Sequence, residues 1–293
     1  MNKVSILLAV YNCDQFITEA VNSIINQTYR NWELVIVNNG STDNTAFVAS
    51  SFTQKDDRII FHDLPEKGKC NAYNKAFELC TGDFICFFAG DDMLSHDSLQ
   101  KRIAPLEMGL GDFSTCLLKT FSSIDKHNGV VFPKKIMNPN YSGGSIFFSR
   151  AIAKTIFPIP IELPNEDTWT SLHLRAFGKN VHIPEVLYLY RIHNANSYGY
   201  DLEFDEKRDK YLNRMQAFIY FKEKWKNLEN KAFEQYVNIF IKGLEFCKQK
   251  NRIGILSTNG LSLRDKMVLF FYSSPIIYKL RHKFFKLFSG ILH

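Results

Sequence analysis

The sequence predicts an α/β fold, a Rossmann-like, mostly parallel sheet flanked by helices, followed by a helical extension. Three observations carry that expectation. Strand-like apolar runs alternate with single helix-like segments from residue 4 to residue 89, and strands joined through single helices imply right-handed crossovers in a parallel sheet. Phe84-Ile85-Cys86-Phe87-Phe88-Ala89 is apolar without alternation, as strands covered on both faces are. Beyond about residue 200 the pattern turns helical, aromatic and Lys-rich, with no repeat or low-complexity tract. The boundaries expected are 1–200 for the sheet domain and 201–293 for the extension.

In chain order, residues 4–10 read as a first buried strand, and Tyr11-Asn12-Cys13-Asp14 as a loop. Residues 15–27 have helical spacing through Phe16, Ala20, Ile24 and Gln27. Residues 33–37 form a second strand closed by Asn38-Asn39-Gly40-Ser41, and Thr42-Asp43 open a helix with capping residues. Residues 58–64 are a third strand, broken by Pro65 and Gly68; residues 71–80 are helical, and the Phe84 strand follows. A helix over 95–107, a strand over 113–121 and another at Ile146-Phe147-Phe148 come next. Gly143-Gly144 before that strand allows close approach of backbone or ligand. A helix over 168–177 and a last strand over 186–193 complete the body.

The Phe84 run stops at Gly90-Asp91-Asp92. Two adjacent carboxylates there would each lose several kcal/mol on desolvation unless paired or bound to a cation. In open α/β sheets the carboxyl ends of the strands are where ligands bind. A solvated turn capping the helix near Ser95 is the competing account. The other strand ends are rich in acceptors: Tyr11, Asn12, Asn38, Asn39, Asp43 and Asn71. Such a rim suits a ligand carrying a sugar, a base and a metal-bound phosphate. No GxGxxG follows the first strand and no GxxxxGK[ST] occurs, which argues against a dinucleotide dehydrogenase and a P-loop.

Hydrophobic content of 45 % with 23 % charged residues is ordinary for a globular chain. The six cysteines show no CxxC and no regular spacing, and Cys86 and Cys116 lie inside apolar runs, so those two are expected as buried thiols and the compartment as reducing and cytoplasmic. Residues 4–10 are too short for a signal peptide, and no apolar run approaches the ~20 residues that span a bilayer. Of the net charge of +6, the stretch from Arg264 onward holds six Lys/Arg against Asp265 alone. A nucleic-acid-binding body carries its basic stripe on the folded domain, so nucleic acid is not an expected partner.

The order of motifs over residues 3–197 resembles the family 2 glycosyltransferases, the inverting nucleotide-sugar enzymes of GT-A fold. The matching pieces are Val4-Ser5-Ile6 with Tyr11-Asn12, Asn26-Gln27-Thr28-Tyr29, and Glu33 to Val37 with Gly40-Ser41-Thr42-Asp43. They continue with Gly68-Lys69, Ala72, Asn74-Lys75, Gly82-Asp83, Asp91-Asp92, Glu166-Asp167 and Tyr190-Arg191 with His193. The resemblance implies nucleotide-sugar contacts from Ala9, Tyr11, Asn12, Asn38, Asn39, Lys69, Asn71, Asp91 and Arg191, with a UDP-sugar as the usual donor. It implies Mn²⁺ or Mg²⁺ at Asp91 and Asp92, with His193 as a further ligand, and catalysis at Asp167 and Glu166, with Asp167 the general base. The chain departs from the family pattern at Asn38, Asn39 and Asn71, where aspartates are usual, and at Ala89, the first position of the usual Asp-x-Asp. A carboxamide both donates and accepts hydrogen bonds where a carboxylate only accepts, so the pocket's chemistry differs. A non-catalytic nucleotide-sugar-binding relative is the competing reading.

Some residues carry two readings. Glu166-Asp167 can simply cap the following helix, since acids are favoured at a helix N-terminus. Arg191 can meet phosphate or Glu166. Lys67 and Lys69 can steer a diphosphate or be solvated, and Trp169 and Tyr190 can stack on a sugar or fill core. The acceptor implied is a saccharide or polyprenyl-linked saccharide in bacterial surface polysaccharide or lipopolysaccharide synthesis. In residues 279–288, Leu280, Phe284, Leu287 and Phe288 share a helical face beside Lys279, Arg281, Lys283 and Lys286. That is the pattern of an interfacial helix on an anionic membrane, with the cytoplasmic face of the inner membrane the expected location; packing of the stripe back onto the sheet domain is the competing reading.

Overall fold

The structure is a computed structural model that describes residues 2–122, 128–193 and 202–280. The chain divides into two compact units, Met1–Asn196 and Ser197–His293.

In the first unit the sheet grows outward from β1 (Val4–Val10), which pairs in parallel with β2 (Trp32–Asn39) on one side and β4 (Phe84–Ala89) on the other. β3 (Ile59–Leu64) extends it in parallel beyond β2. The connections are α1 (Ile17–Ile25), α2 (Thr45–Ser51) and α3 (Lys69–Leu79). β1, β2 and β4 are buried nearly throughout, which is why their sequences do not alternate. β2 runs through Asn38 and Asn39 rather than closing before them. Those two polar residues are therefore buried at the strand's carboxyl end.

The second half of the sheet is mixed. β5 (Met93–Leu94), β6 (Phe113–Ser122), β7 (Val131–Phe132), β8 (Ile146–Ser149) and β9 (Asn180–Ile192) give the order β3-β2-β1-β4-β8-β6-β9-β5, with β7 beside β6. β8 lies antiparallel between β4 and β6, and β9 returns parallel to β6. β9 starts six residues before the expected position and is accommodated by register shifts opposite Cys116, Leu117 and Leu118. The flanking helices are α4 (Ser98–Glu107), α5 (Arg150–Ile156) and α6 (Asp167–Phe177). On α4, Leu99, Arg102, Ile103 and Leu106 are the buried stripe, at spacing that places them on one face. An arginine thus occupies a core position.

The second unit is helical: α7 (Phe204–Lys224), α8 (Lys231–Lys248), α9 (Arg252–Ser257) and α10 (Leu263–Tyr272). Phe218 stacks on Phe240 at 4.0 Å, joining α7 to α8, and Tyr211 stacks on Tyr272 at 4.2 Å, joining α7 to α10. No helix of the described residues is long and apolar enough to cross a membrane. Of the stretch 279–288, residues from 281 onward lie outside the described residues.

Candidate active site

The parallel strands end side by side. Val10 is in register with Asn38, Asn38 with Asp63, and Ala9 with both Val37 and Ala89. Tyr11, Asn38, Asn39 and Asp91 therefore gather along one edge. Asn12, at a φ of 46°, turns the chain there, and its carboxamide accepts from the Thr42 backbone N–H at 2.8 Å. Asn38 donates to Asp63 at 2.7 Å, and Asn39 accepts from the Gly68 N–H at 2.5 Å. Asn39 thus fixes the start of α3, where Lys69 and the exposed Asn71 stand. The Lys67 ammonium sits 4.0 Å over the Tyr11 ring.

The two aspartates of the Gly90-Asp91-Asp92 turn have opposite duties. Asp92 is 2 % exposed; its Oδ2 accepts from the Tyr188 hydroxyl at 2.6 Å and its Oδ1 from the Arg191 backbone N–H at 2.8 Å. Burial first, and the neighbouring Asp91 second, push its carboxyl well above the usual range. These contacts fasten β9 to the turn, so Asp92, expected as a metal ligand, acts as a buried anchor. Asp91 faces the rim, with its Oδ2 3.0 Å from His193 Nε2. The His193 ring lies 4.6 Å from that of Phe16. The Arg191 guanidinium donates to the Asp91 carbonyl at 2.7 Å and pairs with Glu19 at 2.5 Å.

Asp91 and His193 suit a hard divalent cation. The 3.0 Å between Asp91 Oδ2 and His193 Nε2 is that of a hydrogen-bonded pair, which brings an oxygen and a nitrogen donor together. Among the described residues no three His, Cys, Asp or Glu side chains come together around one ion. Mg²⁺ and Mn²⁺ take just such incomplete protein sets, completed by substrate phosphate and water.

The second carboxylate centre lies at the start of α6. Asp167 Oδ1 accepts from the Gly143 N–H at 2.9 Å. Glu166 is buried and pairs with Lys69 Nζ at 3.1 Å. Burial raises the Glu166 pKa, Lys69 opposes that rise, and Asp167 adds to it. The tight turn Gly143–Ser145 joins the two centres. A Cβ on Gly143 would come within 2.9 Å of both Asp167 and Glu166, and one on Gly144 within 2.1 Å of the Tyr188 ring. The contacts run from Asp167 through Gly143-Gly144 and Tyr188 to Asp92 and its neighbour Asp91.

The sequence reading missed Arg102. It is fully buried and donates to the carbonyls of Gly144 at 3.1 Å and Ile146 at 2.7 Å, holding the turn from beneath. Its place on the apolar stripe of α4 was the available signal. It also missed Tyr188 and the Lys69–Glu166 pair. Trp169 is core, its indole N–H donating to the Ile156 carbonyl at 2.7 Å. Burial pushes the Cys13 and Cys70 thiols up to about 12, so neither is a nucleophile at neutral pH.

An edge of acceptors, an aspartate-histidine pair and a second carboxylate thus lie on the sheet domain. The backbone resembles S. aureus TarS in complex with UDP-GlcNAc, with a TM-score of 0.65 at 17 % identity, covering 96 % of this chain and 84 % of that one. It also resembles the mannosyltransferase PcManGT of Pyrobaculum calidifontis in complex with GDP-Man and Mn²⁺, at 0.61 and 15 %, covering 98 % and 84 %. The fold is GT-A. The profile of Glycosyl transferase family 2 matches residues 5–152, and the chain belongs to that family. It is 31 % identical over 125 residues to an uncharacterized glycosyltransferase of Haemophilus influenzae, covering 41 % of this chain and 50 % of that protein. It is 33 % identical over 101 residues to the Escherichia coli UDP-Glc:alpha-D-GlcNAc-diphosphoundecaprenol beta-1,3-glucosyltransferase WfgD, covering 34 % and 40 %. The chain thus spans half or less of the length of these curated relatives.

Proposed function

We propose that the protein is an inverting glycosyltransferase. It moves a sugar from a nucleoside-diphosphate donor to a saccharide or lipid-linked saccharide in bacterial surface polysaccharide or lipopolysaccharide synthesis. The observation that carries this reading is the Gly143-Gly144 turn, which sets Asp167 beside the wall that holds Asp91 and His193. Inversion needs one base on the acceptor side and charge stabilisation on the leaving side, and the two carboxylate centres supply them.

Asp167 takes the proton of the acceptor hydroxyl as its oxygen bonds to the anomeric carbon. The bond from that carbon to the diphosphate oxygen breaks, and the nucleoside diphosphate leaves with the electron pair. Gly143 N–H orients the carboxylate of Asp167, while Glu166 neutralises Lys69 and does not itself move the proton. Asp91 and His193 would hold Mn²⁺ or Mg²⁺, which when bound supplies Lewis-acid neutralisation of the departing phosphate. Tyr11, Asn12 and Asn39 line the donor's edge.

A UDP-sugar is the donor the family membership favours, supported by the UDP-GlcNAc complex of TarS. WfgD, by its name, acts on a diphosphoundecaprenol-linked sugar, which supports a polyprenyl-linked acceptor and peripheral attachment to the inner membrane. The test is release of nucleoside diphosphate from a panel of nucleotide sugars, with and without Mn²⁺, by the wild type and Asp167→Asn. Donor-dependent turnover by the wild type alone is the expected outcome. Absence of turnover with every donor and acceptor, despite donor binding, would leave the chain a binding protein.

A further inference from the structure

We infer that the surface formed by α9 and α10 is a docking face for an anionic lipid bilayer, built into the folded helical unit and separate from the segment that follows it. The inference rests on the peripheral-membrane reading above.

Five large apolar side chains of this unit are exposed: Ile253 by 80 %, Leu256 by 53 %, Leu263 by 70 %, Ile276 by 72 % and Leu280 by 43 %. The first three belong to α9 and α10, and helix geometry groups them. Ile253 and Leu256 are three apart on α9 and share its outer face. Lys266 donates from Nζ to the Leu256 carbonyl at 2.7 Å, and Leu263 precedes Lys266 by one turn on the same face of α10. The patch is also rigidly backed. A Cβ on Gly254 would meet the Phe246 ring at 2.7 Å, and one on Gly243 would meet Leu261 at 2.7 Å and Leu269 at 2.9 Å. Both helices are therefore seated against α8 at glycine distance. The Asn251 side chain caps α9 and that of Ser262 caps α10. Folding a short helix so firmly while leaving its largest apolar residues in water has no packing rationale.

The charge around the patch selects the occupant. Lys248, Lys250, Arg252 and Arg264 are exposed and flank the patch residues along the chain. No acid occurs between Glu245 and Asp265, and Asp265 is engaged with the capping Ser262 hydroxyl at 2.8 Å. Apolar residues flanked by basic ones are what an interfacial surface presents to acyl chains and anionic headgroups together. A second copy of the chain would bring the same positive field against itself and is disfavoured.

The test uses the full chain. All six native cysteines are buried, so a single exposed cysteine can be labelled selectively with an environment-sensitive fluorophore. Ile253→Cys and Leu263→Cys are labelled, with Gln54→Cys as the control. Each is mixed with phosphatidylcholine vesicles with or without phosphatidylglycerol. The expected result is a blue shift at 253 and 263 with the anionic vesicles only, reversed by high salt, and none at 54. The triple variant Ile253→Ser, Leu256→Ser, Leu263→Ser should partition onto those vesicles at least about tenfold more weakly, with donor-induced thermal stabilisation unchanged.

If the chain sediments with vesicles while both labels stay water-like, this surface is refuted and the peripheral reading survives. If the chain ignores anionic vesicles at low salt, both fall. Labels already shifted to the blue without vesicles, or an oligomer that the triple variant dissolves, would show the face covered by protein and overturn the inference.

Discussion

Adjacent carboxylates at residues 91 and 92 make the sharpest residue-scale contrast. Asp91→Ala should abolish metal-dependent turnover, and His193→Ala should weaken it, both measured as nucleoside diphosphate release across a Mn²⁺ titration. Full activity of Asp91→Ala in chelator would remove the metal from the mechanism. Asp92 acts through stability instead. Its carboxyl titrates well above the usual range because it is buried next to Asp91, so the folded state holds a proton that the unfolded state releases at about pH 3.9. The stability contribution of Asp92 is then fully present below that pH and is lost as pH rises toward the folded value. Asp92→Asn should therefore gain on the wild type as pH rises above about 4, read from denaturant midpoints across pH. Asp167→Asn should bind donor normally and lose roughly 10²–10⁴-fold in transfer rate. Near-normal turnover in that variant would make Asp167 a helix cap.

Elements bring those residues together, and here the sequence was legible unevenly. β1, β2 and β4 were readable because strands buried on both faces are apolar throughout. The placement of Asp91 followed from the end of β4. Nothing local announces that β8 inserts antiparallel between β4 and β6, or that Lys69 pairs with Glu166. Such pairings are chosen by the whole chain. Arg102 was hidden because a charged residue on a helix reads as solvent-facing, although its neighbours at three- and four-residue spacing are core. The turn it holds has a testable steric limit. Gly144→Ala places a methyl 2.1 Å from the Tyr188 ring and should destabilise the fold by about 1–3 kcal/mol or more. Denaturant unfolding measures it; an unchanged midpoint would mean that Tyr188 moves freely.

At the scale of the whole molecule the chain comprises two compact units, and the residues proposed for chemistry all belong to the first. Residues 1–200 alone should unfold cooperatively and respond to donor. Donor at 100-fold above its Kd adds about 2.7 kcal/mol, which a thermal shift resolves. Loss of donor response in the isolated unit would assign the extension a part in donor binding. The basic character of the far end was legible from the sequence, whereas the exposed patch on α9 and α10 was not. Ile253, Leu256 and Leu263 look like core residues until the packing of Gly254 and Gly243 shows which sides of the helices are occupied.

The turn after β4 also sets a rule for insertions and deletions. Asp92 meets Tyr188 and the Arg191 backbone, while the Asp91 carbonyl receives the Arg191 guanidinium. The count of residues between Ala89 and Met93 thus decides which carboxylate is enclosed and which is presented. Removing Gly90 would move Asp92 to the presented position and put Met93 at the anchor, while inserting one residue before Asp91 would enclose Asp91 in place of Asp92. Length polymorphism among relatives should therefore be tolerated in the surface connections but absent from this three-residue span, a pattern that aligned sequences can reveal without any assay.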